Sequence, residues 1–282
     1  MPSQVTMKQL LEMGVHFGHR TQKWNPKMDP YIFTQRNGIH ILDLQQTIHN
    51  LHQYHDMLRD MAAQGKTVLF VGTKRQAQET IAQEAQRCGM PYVNYRWLGG
   101  TLTNWRTIRN RIDTLKQLEK SRDSGEFQLL TKREALMKQR EIDKLMLRLG
   151  GIRDMKRLPD LIIIVDTERE HTAVREGNIL KIPLLALVDS NSDPDDVDYI
   201  LPANDDAMRA IRLLVSTIAD AVIEGTNLRQ SGGDEGVYEE EEMNIADYDY
   251  DDEDDDEQFL GAATLAKLRD SKLFDEDDED ED

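Results

Sequence analysis

The residues of this chain that could do chemistry are chiefly cations placed beside aromatic rings, and they occur in two separate segments. The longer segment, 96–157, holds 16 Lys and Arg against 8 Asp and Glu, and the shorter one, 20–36, holds its cations among Trp24 and Tyr31. Lysine and arginine pair with phosphates and release counterions, while aromatic rings can stack on unpaired bases. This pattern predicts RNA binding without naming the RNA. The alternative, for any one charged helix, is an ordinary solvated face.

The candidate RNA-binding residues come from these two segments, with two cations added that follow a short apolar run near residue 70. They are Arg20, Lys23, Trp24, Lys27, Arg36, Lys74, Arg75, Arg96, Trp97, Thr103, Asn104, Trp105, Arg106, Arg109, Arg111, Lys132 and Arg133. We expect the cations to position phosphates and the tryptophans to pack or to stack. Because phosphate contacts position a protein rather than specify a sequence, recognition of RNA shape is expected.

The stretch Gly99–Asn104 lies directly before the first helix predicted in the longer segment. Its glycines expose backbone N–H groups, and Thr103 can cap the helix so that the positive helix end faces outward. An RNA phosphate would suit that place. A simple turn before a helix explains the stretch equally well.

An enzymatic alternative rests on Asp166 and Asp189, each of which follows an apolar run and so lies at the carboxyl edge of a sheet. With the aspartates of 193–196 they could hold Mg²⁺ for phosphoryl transfer. However, aspartate at a strand end commonly forms turns and helix caps. Gly72-Thr73-Lys74 lacks the glycine spacing of a dinucleotide-binding fold, and the sequence has no Gly-Lys-Ser/Thr phosphate loop. The sequence therefore favours a protein that is not an enzyme.

The histidines and the cysteine raise the question of a metal. The histidines concentrate between 16 and 55, and His49 and His52 could share a metal with His16 or His19. The zinc helix motif is absent, which favours packing, hydrogen bonding or base stacking, and no cofactor is expected. Cys88 has no cationic cluster beside it, so we expect a buried inert thiol, and a single cysteine excludes an intramolecular disulfide.

The pattern of apolar runs predicts the fold class. Near-continuous runs at 67–72, 161–166 and 182–189, separated by helical segments, are typical of a parallel sheet buried on both faces. Near the N-terminus, Thr6 can cap a short helix, Asn37-Gly38 predicts a β-hairpin, and Asp43 can begin a helix to about residue 63. At the other end of the domain, Asp205 caps a predicted helix over 206–224.

An insertion at about 103–150 interrupts the alternation. Apolar residues recur at helical spacing at Ile108, Ile112, Leu115 and Leu118. Ser124-Gly125 breaks the run, and Thr131 opens a second helix with a capping box. Gly150-Gly151 ends that helix. Two helices with narrow apolar seams and a short connection predict a protruding α-helical hairpin, or short coiled coil.

Charge divides the chain of 282 residues into two parts. The net charge is −18, but 231–282 alone carries 24 Asp and Glu against 3 Lys and Arg, which leaves 1–230 mildly basic. We predict an α/β domain over 1–230 and a disordered acidic tail over 231–282. Within the tail, 258–274 could be a spacer or a docking helix. No run of 18 apolar residues is present, and the N-terminus lacks a signal core, so we expect no membrane span and a reducing compartment.

A set of motifs resembles the family of the bacterial small-subunit ribosomal protein usually numbered two. The matching runs stand in the family's order, and they are His16–Arg20, Lys23–Met28, Arg36–His40, Val71–Arg75, Trp97–Asn104, Leu158–Asp160, Val188–Asn191 and Leu201–Ala207. Each alone is weak, but the ordered set across about 3–228 is specific. Two departures are Ser190, where the family usually has threonine, and the length of the acidic tail.

The resemblance implies a flavodoxin-like, three-layer parallel sheet with an inserted helical hairpin. It implies a structural constituent of the small ribosomal subunit in the cytoplasm, on the solvent side between head and body, that supports translation. In that family the protein contacts small-subunit ribosomal RNA and neighbouring ribosomal proteins and helps recruit the large mRNA-binding one. No catalysis, cofactor or small-molecule substrate is implied. The two rival hypotheses are the phosphoryl-transfer enzyme and a protein-interaction adaptor that uses the hairpin and the tail.

Overall fold

The computed structural model describes residues 5–232, which form seven α-helices and eight β-strands joined by turns and short 3₁₀ segments. The helices are α1 (Met7–Met13), α2 (Leu44–Ala63), α3 (Gln78–Cys88), α4 (Trp105–Asp123), α5 (Lys132–Leu149), α6 (His171–Ile179) and α7 (Met208–Gly232). The strands are β1 (Phe17–Arg20), β2 (Ile32–Arg36), β3 (Ile39–Leu42), β4 (Val68–Val71), β5 (Tyr92–Val93), β6 (Leu161–Val165), β7 (Leu184–Val188) and β8 (Tyr199–Pro202).

The central sheet has five parallel strands in the order β5-β4-β6-β7-β8. In chain order this is 2-1-3-4-5, one of the two common orders of doubly wound sheets. Every residue of β4, β6 and β7 is buried, as the near-continuous apolar runs predict. The prediction of an α/β fold with a parallel sheet is therefore confirmed.

Neighbouring strand residues point to opposite faces, and each face has its own apolar core. Phe70 and Ile163 pack in one core, which α2, α3 and α7 complete. Leu69 and Ile162 pack in the other, together with residues of α6 and the first part of α4. Helices thus cover both faces, which keeps water from the continuous apolar strands.

A second sheet at the N-terminus has three antiparallel strands in the order β1-β3-β2. Asn37 and Gly38 have φ of 52° and 74°, as a two-residue hairpin of type I′ needs, so the predicted hairpin is confirmed. The cap at Thr6, which the structure shows as a capping box with Gln9, and the start of α2 after Asp43 are also confirmed. Strand β1 was not predicted, because its residues Phe-Gly-His-Arg show no apolar alternation.

Two predicted helix caps are wrong. The side chain of Asn104, rather than that of Thr103, caps α4 by accepting from the Thr107 N–H. The helix predicted to follow Asp205 begins later, at Met208, and extends to Gly232. Before it, Asn204 Oδ1 accepts from the backbone N–H groups of Asp206 and Ala207, while Asp205 is fully buried.

Helices α4 and α5 contact one another, with Gly125 in the left-handed region between them and the predicted capping box at Thr131. Their shared seam buries Ile112, Leu115 and Ile142. Beyond Leu115 no residue of α4 is buried, whereas its first turn lies in the core of the sheet. The helices are therefore anchored at one end. Their description as a protruding coiled coil stays a prediction.

The acidic segment from 233 onwards lies outside the described residues, together with the tail helix suggested at 258–274. The division of the chain near residue 230 therefore stays a prediction. Among the helices that the structure describes, none combines the length and the apolar character needed to cross a membrane.

Helix α7 packs on α2 through a glycine, which allows a test of this close approach. A Cβ at Gly225 would lie 2.1 Å from the Arg59 carbonyl oxygen and 2.7 Å from Ala62 Cβ. We expect Gly225→Ala to lower the free energy of unfolding by about 1–3 kcal/mol, because the helices must move apart. Urea unfolding measures this. Gly99→Ala, whose Cβ would meet nothing within 4 Å, is the matched control. Equal stability of the two variants would contradict the close packing.

Candidate nucleic-acid interface

Most of the cations proposed for RNA binding are exposed. Those exposed are Arg20, Lys23, Arg36, Arg75, Arg96, Arg106, Arg109, Arg111, Lys132 and Arg133. None of them takes part in an ion pair with another described residue. Their charge is therefore directed to solvent, where an anionic partner can reach it.

The cations on α4 share one side of the helix. Arg106, Arg109, Lys116 and Lys120 are separated by three, seven and four residues, which places them within one strip interrupted by Asp113. All are exposed, and the buried seam runs beside them. At the start of α5, Lys132 and Arg133 add two further exposed charges. A strip of this kind can follow a phosphate backbone.

The N-terminal basic segment is partly neutralised within the protein. Lys27 Nζ lies 2.7 Å from Asp193 Oδ2 and 2.7 Å from Asp195 Oδ2. The hydrogen bond to Asp193 raises the pKa of Lys27 above its ordinary value. The Trp24 ring is half-buried, and its centroid lies 5.1 Å from that of His40. RNA contact by Lys27 and Trp24 stays a prediction, and for Lys27 it would compete with two carboxylates.

The other two tryptophans, Trp97 and Trp105, pack inside the protein and do not present their rings to solvent for stacking on bases. Trp97 and Trp105 are each 8% exposed and lie in the core beside α6. The Trp97 indole Nε1–H donates to Glu176 Oε1 at 2.9 Å. Their rings hold the first turn of α4 on the body, so any effect they have on RNA passes through the position of that helix.

The backbone N–H groups before α4 already have an anionic partner inside the protein. Glu176 of α6 accepts from the N–H of Gly100 at 2.9 Å, of Leu102 at 2.9 Å and of Thr103 at 3.1 Å. The Thr103 hydroxyl also lies 3.2 Å from this carboxylate. For these three N–H groups the interpretation as an RNA phosphate site is therefore wrong. Contact of the exposed side chains of Thr103 and Asn104 with RNA stays a prediction.

Glu176 is held as an anion although it is buried. Burial raises its pKa, but the hydrogen bonds from Trp97 and from the backbone of Leu102, Thr103 and Gly100 outweigh that effect, so the pKa lies below its ordinary value. Donors that surround a carboxylate favour its charged form. Glu176 is not among the residues that the sequence pattern marks as functional. A signal was present, because Glu176 stands beside Ala173, Val174 and Gly177 on the buried face of α6.

A second polar cluster lies at the carboxyl edge of the sheet, where β4 and β6 form the switch point of the strand order. Lys74 Nζ lies 3.1 Å from Asp166, 2.7 Å from Asp205 and 2.5 Å from Asp206. Burial lowers the pKa of Lys74, but the hydrogen bonds to Asp205 and Asp206 more than compensate, and the pKa is raised. Lys74 is therefore engaged by carboxylates of its own chain, and its contact with RNA stays a prediction.

The same edge joins the N-terminal sheet to the central sheet through His19. Its Nδ1 lies 2.9 Å from Asp189 Oδ2, its Nε2 lies 3.3 Å from Asp206 Oδ2, and its backbone N–H donates to Ser190 Oγ at 2.8 Å. The contact with Asp189 is the main reason why the pKa of His19 is raised to about 9. Burial, followed by the charges of Asp189 and Asp166, raises the pKa of Asp205 to about 7.

Among the described residues, His19, Asp205 and Asp206 form the group whose ligand atoms could hold a metal, since these atoms lie within 4.8 Å of one another. Lys74 Nζ, however, lies 2.7 Å from Asp205 and 2.5 Å from Asp206, and a protonated His19 cannot bind a metal, so these groups are engaged in ion pairs. The group differs from the pairing of His16 or His19 with His49 and His52 considered from the sequence, because both helix histidines are exposed on α2. The thiol of Cys88 is buried, which raises its pKa to about 11, as expected for an inert cysteine.

Asp166 and Asp189, the aspartates proposed for an enzymatic site, form turns and ion pairs within the fold. Asp166 accepts from the Arg169 N–H at 3.0 Å and pairs with Lys74. Asp189 accepts from the Ser190 N–H at 2.5 Å and contacts His19. These are the turn and ion-pair roles that strand-end aspartates commonly take.

Removing the central cation of this cluster should destabilise the fold. Lys74→Ala leaves Asp205 and Asp166 without their cation, and we expect a loss of about 3–5 kcal/mol in the free energy of unfolding. The loss should shrink at acidic pH, because protonated aspartates need no cation. Denaturant unfolding of Lys74→Ala and of Arg75→Ala, the exposed neighbour, checks this. A similar loss in both variants, or none in Lys74→Ala, would reject the role.

The raised pKa of His19 predicts a pH dependence of stability. Because the fold favours the protonated ring, its contribution is fully present below pH 6.5 and is lost as the pH rises through about 9. Across this window we expect the free energy of unfolding to fall by about 1 kcal/mol or more. Unfolding curves at several pH values test this. His19→Gln should flatten the dependence, whereas His52→Gln, on the exposed side of α2, should keep it. An unchanged slope in His19→Gln would disprove the assignment.

Comparison with known proteins identifies the family. The family model of ribosomal protein S2 matches residues 10–225. Small ribosomal subunit protein uS2 of Nostoc sp. (strain PCC 7120 / SAG 25.82 / UTEX 2576) is 53% identical over 246 residues, which cover 87% of this chain and 92% of that protein. Small ribosomal subunit protein uS2 of Petrotoga mobilis (strain DSM 10674 / SJ95) is 56% identical over 223 residues, which cover 79% of this chain and 77% of that protein. The chain therefore belongs to the ribosomal protein S2 family, whose members are structural proteins of the small ribosomal subunit and not enzymes.

Proposed function

We propose that this chain binds small-subunit ribosomal RNA through the cations of α4, α5 and the N-terminal segment, and supports translation as a structural part of the ribosome in the cytoplasm. The observation that carries the proposal is the strip on α4. Arg106, Arg109, Lys116 and Lys120 are exposed on one side and pair with no described carboxylate. Surface cations kept without internal partners are the electrostatic footprint of a nucleic-acid-binding protein.

The geometry of α4 and α5 favours a projecting arm. Burial at Trp105, Ile108 and Leu149 fixes one end to the body, while beyond Leu115 no residue of α4 is fully buried and Glu119 pairs with Arg153. We infer a flavodoxin-like, three-layer body that carries this arm as a short helical hairpin. A rigid mount matters because phosphate contacts act by position, and cations on a fixed helix keep their spacing.

Neighbouring ribosomal proteins are the second class of partner in the proposal. Exposed apolar side chains suit such contacts, and they include Phe33 on the N-terminal sheet and Leu129, Leu136 and Leu147 on the arm. Phe33 is 75% exposed, and Leu129 is 89% exposed. Solvated apolar groups of this size favour burial against a partner. One expected partner is the large mRNA-binding ribosomal protein.

Charge removal on the arm tests RNA binding. In Arg109→Ala and Arg133→Ala we expect weaker binding to a small-subunit ribosomal RNA transcript and a shallower dependence of log K on log salt. Each lost phosphate contact should reduce the slope by about 0.7–0.9. Titrations at several salt concentrations measure this, with Arg212→Ala on α7 as the control. The RNA proposal fails if both arm variants keep the slope of the unchanged protein.

A further inference from the structure

Glu176 connects the body to the arm through a single carboxylate. We propose that Glu176 is a positioning residue for RNA binding, which sets the direction of α4 by holding the loop 97–103 that leads into it. The inference rests on the proposed RNA-binding function and names the residue on which the geometry of that surface depends.

The contacts of Glu176 are concentrated on this one loop. Oε1 accepts from the Trp97 indole and from the Gly100 N–H, each at 2.9 Å. Oε2 accepts from the N–H groups of Leu102 and Thr103 at 2.9 and 3.1 Å, and the Thr103 hydroxyl lies 3.2 Å away. Every hydrogen bond that the structure gives this carboxylate therefore goes to the segment directly before α4.

Apart from Glu176, the loop is held by the burial of Trp97 and Leu102 and by turn hydrogen bonds to the Leu98 carbonyl. Residues 97–103 belong to no helix or strand, and Gly100 lies in the left-handed region at φ 82°. Gly99 is open, since a Cβ there would meet nothing within 4 Å. Without the carboxylate, the buried Leu102 N–H would lose its acceptor, which costs about 1–3 kcal/mol for a buried donor. The loop would therefore rearrange, and α4 begins two residues after it.

The charge on Glu176 is neutralised by dipoles rather than by a cation. It takes part in none of the ion pairs between described residues, and it is 5% exposed. A carboxylate surrounded by N–H donors fixes the direction of several groups at once. Glutamine in its place keeps the size of the side chain but replaces one acceptor oxygen with an NH₂ group, which would face N–H groups and cannot accept from them.

The test compares two buried glutamates in the full-length chain. Glu176→Gln is measured beside Glu170→Gln. The Glu170 carboxylate accepts hydrogen bonds from the backbone N–H and the hydroxyl of Thr73, and from no residue of the loop 97–103. The measurements are the affinity and salt slope for a small-subunit ribosomal RNA transcript, the free energy of unfolding, and amide hydrogen exchange at Gly100, Leu102 and Thr103.

We expect Glu176→Gln to bind the transcript roughly tenfold more weakly or worse, as follows when only about one tenth of the molecules keep α4 in the binding-competent direction. Its salt slope should fall, because a misdirected arm reaches fewer phosphates, and exchange at the loop amides should quicken. Glu170→Gln should keep the affinity and the slope. A purely structural role predicts lower stability in both variants with unchanged RNA binding by the folded protein, and that outcome would overturn the proposal.

A milder variant keeps the test decisive if Glu176→Gln does not fold. Trp97→Phe retains a ring in the core but removes the one side-chain N–H that binds Oε1. We expect weaker RNA binding, a lower salt slope and faster exchange of the loop amides, each by less than in Glu176→Gln. Unchanged affinity, slope and loop exchange in a folded Trp97→Phe protein would then reject the inference. Failure of the RNA proposal itself looks different, since the unchanged protein would then show no salt-dependent binding of the transcript.

Discussion

Buried carboxylates require donors, and this requirement decides how the separate parts of the molecule attach to the central sheet. Asp189 forms an ion pair with His19, and this contact joins the N-terminal sheet to the end of β7. Asp205 and Asp166 meet Lys74, which ties the ends of β8 and β6 to the segment after β4. Glu176 meets the loop before α4. Desolvation makes an unmatched charge costly, so the loss of any one of these partners destabilises the fold.

The internal and external charges therefore have opposite roles. Inside the protein, His19 pairs with Asp189 and Lys74 pairs with Asp205, and these ion pairs hold parts of the fold together. Outside, cations such as Arg109 and Arg133 are left without a described partner. Lys74 and Arg75 show the contrast in adjacent positions, since the first is engaged by aspartates and the second is exposed. Proximity in sequence to a basic segment therefore does not by itself assign a cation to RNA.

Local patterns predicted most of the fold, because strands and helices report their environment through their own residues. The apolar runs of β4, β6 and β7 and the capping box at Thr131 appear where expected. The site was harder to predict. Trp97 and Glu176 are 79 residues apart, and Lys74 and Asp205 are 131 apart, so no local pattern joins them. The exposed cations were found because composition alone reveals them.

The stretch Gly99–Asn104 shows where sequence reasoning goes wrong and why. Glycines before a helix do present N–H groups to an anion, so the chemistry was correctly predicted. The anion, however, is a glutamate from α6, which composition near the stretch could not reveal. An internal carboxylate has a kinetic and a thermodynamic advantage over an external phosphate, since it is tethered at high effective concentration and loses no translational freedom on binding. Anion-binding geometry at this stretch therefore serves the attachment of α4 to α6, and the proposed recognition of phosphate falls to side chains whose charge extends into solvent.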